Sequence, residues 1–293
     1  MLPPRFTPSY LKNIEQLRLW SKRSFIGSKQ GGHLSLRRGH GIEFSDYRRY
    51  EPGDDPRRID WGVYARSDRL YVKRYREEED LNVLLILDTS PSLFTPPADN
   101  KWEIARDLAL TLAYIALIEQ DTVSLALLGA PYSPHYSGAR AIHEVGNLLM
   151  NTQSARTYTF EKEIRRAAAQ IRFPGKAILF SDLMLPFAEI RSGCNALRAK
   201  NLDITVIHLI GPSDREPWQL VTSGVAVDSE TEEEVTLDFD EATKRDYTVA
   251  FQKHQQRCGE FFSEAKIQYA PCNTMTPLLD LVTKNLTTLS LIR

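Results

Sequence analysis

The chain has 293 residues, 42% of them hydrophobic, enough for one large domain or for a domain with an appendage. Its 37 Lys and Arg balance 38 Asp and Glu, so bulk charge excludes a general nucleic-acid or membrane-surface binder. The three cysteines, Cys194, Cys258 and Cys272, lie far apart without metal-ligand spacing and read as reduced thiols rather than a zinc site. The charge is uneven, however: Arg and Lys crowd Arg37 to Arg76, and Asp228 to Asp246 is acidic. The start, MLPPRFTPSY, has no apolar signal core, and no apolar run approaches a membrane span, so a cytoplasmic protein is expected.

In chain order, Pro8 to Leu19 fits a short amphipathic helix with Leu11, Ile14 and Leu17 on one side. A glycine-rich turn, Gly27 to Gly32, leads into brief strands at His33 to Leu36 and Glu43-Phe44. Glu51-Pro52-Gly53-Asp54-Asp55-Pro56 is a turn, Arg57 to Arg66 a short helix, and Leu70 to Arg76 an alternating strand. Val83 to Leu87 is almost purely apolar, as a strand buried on both faces of a parallel sheet must be. Beyond it helix and strand alternate. Helices are expected at Trp102 to Gln120, Ala139 to Met150, Ile164 to Ile171, Phe187 to Lys200, Asp240 to Glu264 and Thr276 to Leu289. Strands are expected at Thr122 to Leu128, Ala177 to Phe180, Ile204 to Ile210 and Ile267 to Ala270, with an antiparallel edge strand at Tyr132 to Tyr136. Val225 to Val227 and Val235 to Leu237 flank an acidic turn and suggest a hairpin insert at 224–238. The expectation is an α/β fold: a mostly parallel sheet with helices on both faces from residue 80 to 293, and a basic, strand-containing appendage over 1–79.

The chemistry concentrates where the apolar runs stop. The first run ends at Asp88, with Ser90 and Ser92 at alternate positions, and Pro91 between them is expected to keep the turn from running on as helix. One carboxylate and two hydroxyls at the carboxyl end of a central strand suit a hard divalent cation. The alternative is that Asp88 and Ser90 only cap the turn. A second apolar run, Ile178 to Phe180, ends in Ser181-Asp182; if the two strands are neighbours, both acids reach one sheet edge.

Asp88-x-Ser90-x-Ser92 resembles the metal-ion-dependent adhesion site of von Willebrand factor A domains. Thr157-Tyr158-Thr159 resembles the Thr-x-Thr loop of integrin-type A domains, which puts Thr157 forward as a ligand with Thr159 second, although Thr159 could instead cap the following helix. Glycine often follows the second aspartate in that family, whereas here Leu183 does. The segment EFSDYRRYEPGDDPRRIDW, followed by the metal motif, closely resembles the domain-of-unknown-function 58 family, a von Willebrand A-like group. That resemblance implies a three-layer A-type fold and a MoxR-type AAA+ ATPase as partner. It further implies a site in which Asp88, Ser90, Ser92, Thr157 and Asp182 hold Mg²⁺, or Mn²⁺ or Ca²⁺ in its place. An ion held largely by neutral oxygens would keep one replaceable water, which a partner's carboxylate could displace.

The arginines of the appendage, Arg48, Arg49, Arg57 and Arg58, are candidates for binding an acidic partner. The other reading is that they pair with Glu51, Asp54, Asp55 and Asp60. Trp61, Tyr47 and Tyr50 read as packing residues rather than base-stacking platforms. The interleaved acids argue against nucleic acid, for which the basic block would be the binding surface. Metal-dependent phosphoester hydrolysis is the competing class. Against it, the six histidines are scattered, His208 reads as a core residue, and the glycine-rich stretch lacks a nucleotide-binding pattern. A binding protein rather than an enzyme is therefore expected.

Overall fold

The computed structural model describes residues 2–20, 43–76, 81–131, 133–155, 158–171, 175–221, 223–227 and 234–293. Thr157, the brief strand at 33–36, the glycine-rich turn at 27–32 and the acidic turn of the hairpin lie outside the described residues. The described residues divide into two compact units, one within 23–80 and one formed by the remainder.

The smaller unit contains β1 (Glu43–Arg49) and β2 (Tyr71–Arg76), antiparallel with an irregular register between Phe44 and Asp46. Between them lie a 3₁₀ turn at Pro56–Arg58 and helix α2 (Trp61–Ser67). Asp60 caps α2 by accepting from the backbone N–H groups of Gly62 and Val63 at 2.9 and 3.1 Å. Asp55 caps the 3₁₀ turn through the N–H of Arg57.

The larger unit begins with α1 (Pro8–Ile14). It continues through β3 (Asn82–Leu87), α3 (Pro91–Phe94), α4 (Lys101–Ile118), β4 (Thr122–Leu127), β5 (His135–Ser137), α5 (Ile142–Met150) and α6 (Phe160–Gln170). Next come β6 (Gly175–Ser181), α7 (Phe187–Ala199), β7 (Asp203–Ile210), α8 (Pro212–Arg215), β8 (Ser223–Val227), β9 (Glu234–Asp238) and α9 (Glu241–Glu264). The chain closes with β10 (Gln268–Asn273) and α10 (Leu278–Asp280). The six-stranded sheet has the order β10-β7-β6-β3-β4-β5 and is parallel except for β5. β8 and β9 form the expected antiparallel hairpin, and its Val225, Val227 and Val235 are exposed.

Period-two patterning divides the core. Val83, Leu85 and Leu87 of β3 join Ile178, Phe180, Ile207 and Leu209 on one face, covered by α4, α5 and α1. Leu84 and Ile86 join Ala177, Leu179, Ile204 and Val206 on the other, covered by α6, α7 and α9. Burying both faces is what forces apolar residues at nearly every position of β3, β6 and β7. The α/β class with helices on both faces is as expected from the sequence.

Three expectations are corrected. Residues 2–20 do not belong with the smaller unit. Phe6, Tyr10 and Ile14 are buried in the sheet's core, Tyr10 and Thr111 share a hydroxyl hydrogen bond of 2.7 Å, and Leu19 bridges Ile292 near the other end of the chain. Pro91 does not block a helix; it opens the single turn α3 at the first helical position, where a missing N–H costs nothing. The C-terminal helix is one short turn running into a π-helix at Leu281–Leu286, whose wider spacing keeps Leu281, Val282 and Leu286 buried.

Candidate functional site

The sheet order reverses at β3: the chain moves first to β4 on one side and later to β6 on the other. Open α/β sheets bind ligands at such a reversal, outside the carboxyl ends of the strands. Leu87 pairs with Phe180, and the Asp88 N–H donates to the Phe180 carbonyl at 2.9 Å. Asp88 and Asp182 therefore leave neighbouring strands at one edge, both buried.

Asp88 is held by neutral donors. Its Oδ1 accepts from the Ser90 N–H at 2.9 Å and from the Tyr158 hydroxyl, and its Oδ2 accepts from the Ser181 hydroxyl at 2.6 Å. Burial, reinforced by the charge of Asp182, pushes the Asp88 carboxyl above its ordinary range, while the hydrogen bonds from Ser181, Tyr158 and Ser90 oppose the rise. Ser90 is buried, and its Oγ lies 2.8 Å from Ser92 Oγ. The edge thus brings together Asp88, Ser90, Ser92 and Asp182. Thr159 is exposed and its side chain makes no cap hydrogen bond, so it is not a side-chain cap of α6.

Asp182 has a partner that the sequence did not reveal. The buried Lys101 ammonium donates to Asp182 Oδ2 and to Asp214 Oδ1, each at 3.0 Å. Burial alone would lower Lys101, but the charges of Asp182 and Asp214 outweigh it and hold the ammonium above its ordinary range. Asp214 sits in the turn after β7 and also accepts from the Gly211 N–H at 2.8 Å. Burial raises its carboxyl, against the pull of Lys101. Asp99 completes the edge, accepting from the Ser213 N–H and hydroxyl. Gly211 is required there, because a Cβ would lie 2.2 Å from Asp99 Oδ2.

Among the described residues, Asp88, Asp99, Asp182 and Asp214 are buried carboxylates at this edge, and the one buried ammonium there, Lys101, bonds Asp182 and Asp214. His208, also buried, does not redress the balance: burial lowers its imidazole to about 4, and its Nδ1 shares a 2.6 Å hydrogen bond with the Tyr269 hydroxyl. An excess of carboxyl groups over ammonium beside two serine hydroxyls fits a hard cation bound by oxygen, which would favour their charged forms. Asp88, Ser90 and Ser92 would hold it, with Asp182 alongside, and it would supply a site for one further anionic oxygen. Among the described residues no three His, Cys, Asp or Glu side chains form a ligand cluster, so such an ion would depend on hydroxyls.

Leu183, where the A-domain pattern often has glycine, adopts the left-handed backbone itself, with φ of 54°. It is fully buried, and its carbonyl lies 2.9 Å from His254 Nε2. A buried leucine here secures the turn that a glycine would make freely, at a backbone cost of about 1–2 kcal/mol.

The arginines of the smaller unit divide. Arg48 pairs with Asp54 at 2.5 Å and with Glu51 at 3.3 Å. Arg49 and Arg57 are exposed and carry no ion pair among the described residues, and the side chain of Arg58 lies outside them. Asp55 and Asp60 serve as helix caps. Trp61 is not a packing residue: it is 60% exposed and meets Tyr64 edge-on. Tyr47 donates its hydroxyl to Asp60 at 2.9 Å.

The described residues contain no helix long and apolar enough to cross a membrane. Among proteins of known sequence, the chain is 28% identical over 262 residues to the uncharacterized protein Rv1480 of Mycobacterium tuberculosis, covering 85% of this chain and 80% of that one. The uncharacterized protein Mb1516 of Mycobacterium bovis matches to the same extent. Among solved structures it is similar to the conserved hypothetical protein BatB from Bacteroides thetaiotaomicron, with a TM-score of 0.45 and 12% identity over 72% of this chain and 98% of that one. It is also similar to an aerotolerance-related membrane protein from Bacteroides fragilis, with a TM-score of 0.36 and 12% identity over 64% of this chain and 98% of that one. The model of the family described as protein of unknown function DUF58 matches residues 46–257, and the chain belongs to that family.

Proposed function

We propose that this protein is a metal-dependent protein-binding module of the von Willebrand A type. Its site takes Mg²⁺, with Mn²⁺ or Ca²⁺ able to replace it, and captures an acidic side chain of a partner. The observation that carries the reading is the cluster of acids at the carboxyl edge, where among the described residues Asp88 is held by neutral hydrogen-bond donors and Ser90 and Ser92 stand beside it. A cation there would be only partly neutralised, because Lys101 already engages Asp182. It would therefore retain attraction for one more carboxylate.

Capture rather than turnover is the function proposed. Asp182 and Asp214 are engaged by Lys101, and His208 by Tyr269, which supports capture over proton transfer at these groups. The partner proposed is a MoxR-type AAA+ ATPase, for which this chain acts as adaptor or co-chaperone in the cytoplasm; that element rests on family membership. Exposed Arg49 and Arg57 offer a second contact for an acidic surface. The test is capture of the purified ATPase in Mg²⁺ and in chelator, by wild type and Asp88→Ala. Capture in Mg²⁺ by the wild type alone is expected. Capture undiminished by chelator would contradict the proposal.

A further inference from the structure

The loop before α6 places a tyrosine where the sequence pattern draws attention to threonines. The Tyr158 hydroxyl donates to Asp88 Oδ1, the same oxygen that receives the Ser90 N–H. Among the described residues, the other groups on that carboxylate are the Ser90 N–H and the Ser181 hydroxyl. The phenol oxygen is thus set among the atoms a cation would use.

The placement is built into the fold. Gly129 follows β4 with φ of 80°, and a Cβ there would lie 2.8 Å from both Tyr158 Cδ1 and Ala155 Cβ. The missing side chain gives the tyrosine ring its seat. The Ala155 N–H donates to the Thr89 carbonyl at 2.8 Å, and the Thr89 hydroxyl donates to the Leu128 carbonyl. These bonds pin the loop to the turn that carries Ser90. A tyrosine hydroxyl carries its proton at neutral pH, so towards a carboxylate it is a donor.

A proton donor and a cation compete for the same lone pairs of a carboxylate. We propose that Tyr158 gates the cation site: its hydroxyl occupies Asp88 Oδ1, and an ion binds only as that hydroxyl withdraws. Tyr158 then sets the ion affinity. This inference rests on the metal-binding reading above.

The test is calorimetric titration of Mn²⁺ into the full-length wild type, Tyr158→Phe and Asp88→Ala, with tyrosine absorbance followed in parallel. Removing a hydrogen bond to a charged group should tighten Mn²⁺ binding by about tenfold or more in Tyr158→Phe. A tyrosine absorbance change on Mn²⁺ addition is expected in the wild type and not in Tyr158→Phe. Gly129→Ala, which keeps every oxygen of the site but crowds the ring, should also tighten binding. Wild-type binding with equal or weaker affinity in Tyr158→Phe would overturn the gate, making the tyrosine a bystander or a ligand, while leaving the metal site standing. Mn²⁺ binding by neither wild type nor Tyr158→Phe would overturn the metal reading and the gate with it.

Discussion

Both ends of the central sheet bury a lysine against aspartate, and the two are built differently. At the amino end, Lys176 of β6 meets Asp203, its register partner on β7, at 2.8 Å. At the carboxyl end, Lys101 is shared between Asp182 and Asp214, while Asp88 and Asp99 are held by neutral donors. A buried pair directly across two neighbouring strands is a structural device, whose removal is costly. An unbalanced group of acids at a sheet reversal is a place where a ligand can lower the energy.

The sharpest way to break this comparison is to remove each lysine in turn. Lys176→Met leaves Asp203 without its ammonium and should cost about 3–5 kcal/mol, by urea unfolding, whether or not Mg²⁺ is present. Lys101→Met should cost at least as much in chelator, but Mg²⁺ should restore part of it, because a nearby divalent cation takes over compensation of Asp182. Equal rescue of both variants, or of neither, would erase the distinction between the two ends.

A smaller effect is expected at Leu183. Leu183→Gly relieves the left-handed strain but removes a fully buried leucine side chain. Cavity formation outweighs the relief, so a net loss of about 1–4 kcal/mol is expected in the same assay. A stabilised variant would mean that the leucine contributes little to the turn. Gly211→Ala drives a Cβ into the Asp99 carboxylate and should cost about 1–3 kcal/mol. An unchanged midpoint would show that Asp99 moves aside freely.

What could be read from the chain beforehand follows from how local each signal is. The buried strands announce themselves as apolar runs, and Asp88 and Asp182 stand out because each run stops at an acid. The valines of the hairpin, flanking an acidic turn, were equally legible. Lys101 was not, because a lysine at the start of a helix ordinarily faces water; only the fold shows it buried between two carboxylates. Asp214 had a usable signal, since it follows the third strand ending at the same edge. Tyr158 was hidden by the threonines on either side, and its role depends on Gly129, twenty-nine positions earlier in the sequence. The burial of residues 2–20 in the sheet's core was invisible for the same reason: Tyr10 meets Thr111 across a separation no local pattern records.

The most direct measurement is calorimetric titration of Mg²⁺ into the purified wild type and Asp88→Ala, with unfolding curves confirming that both are folded. One bound ion in the wild type and none in the variant is the predicted result. A folded wild type that takes up no divalent ion, or a variant that binds as well as its parent, would contradict a cation site at this edge of the sheet.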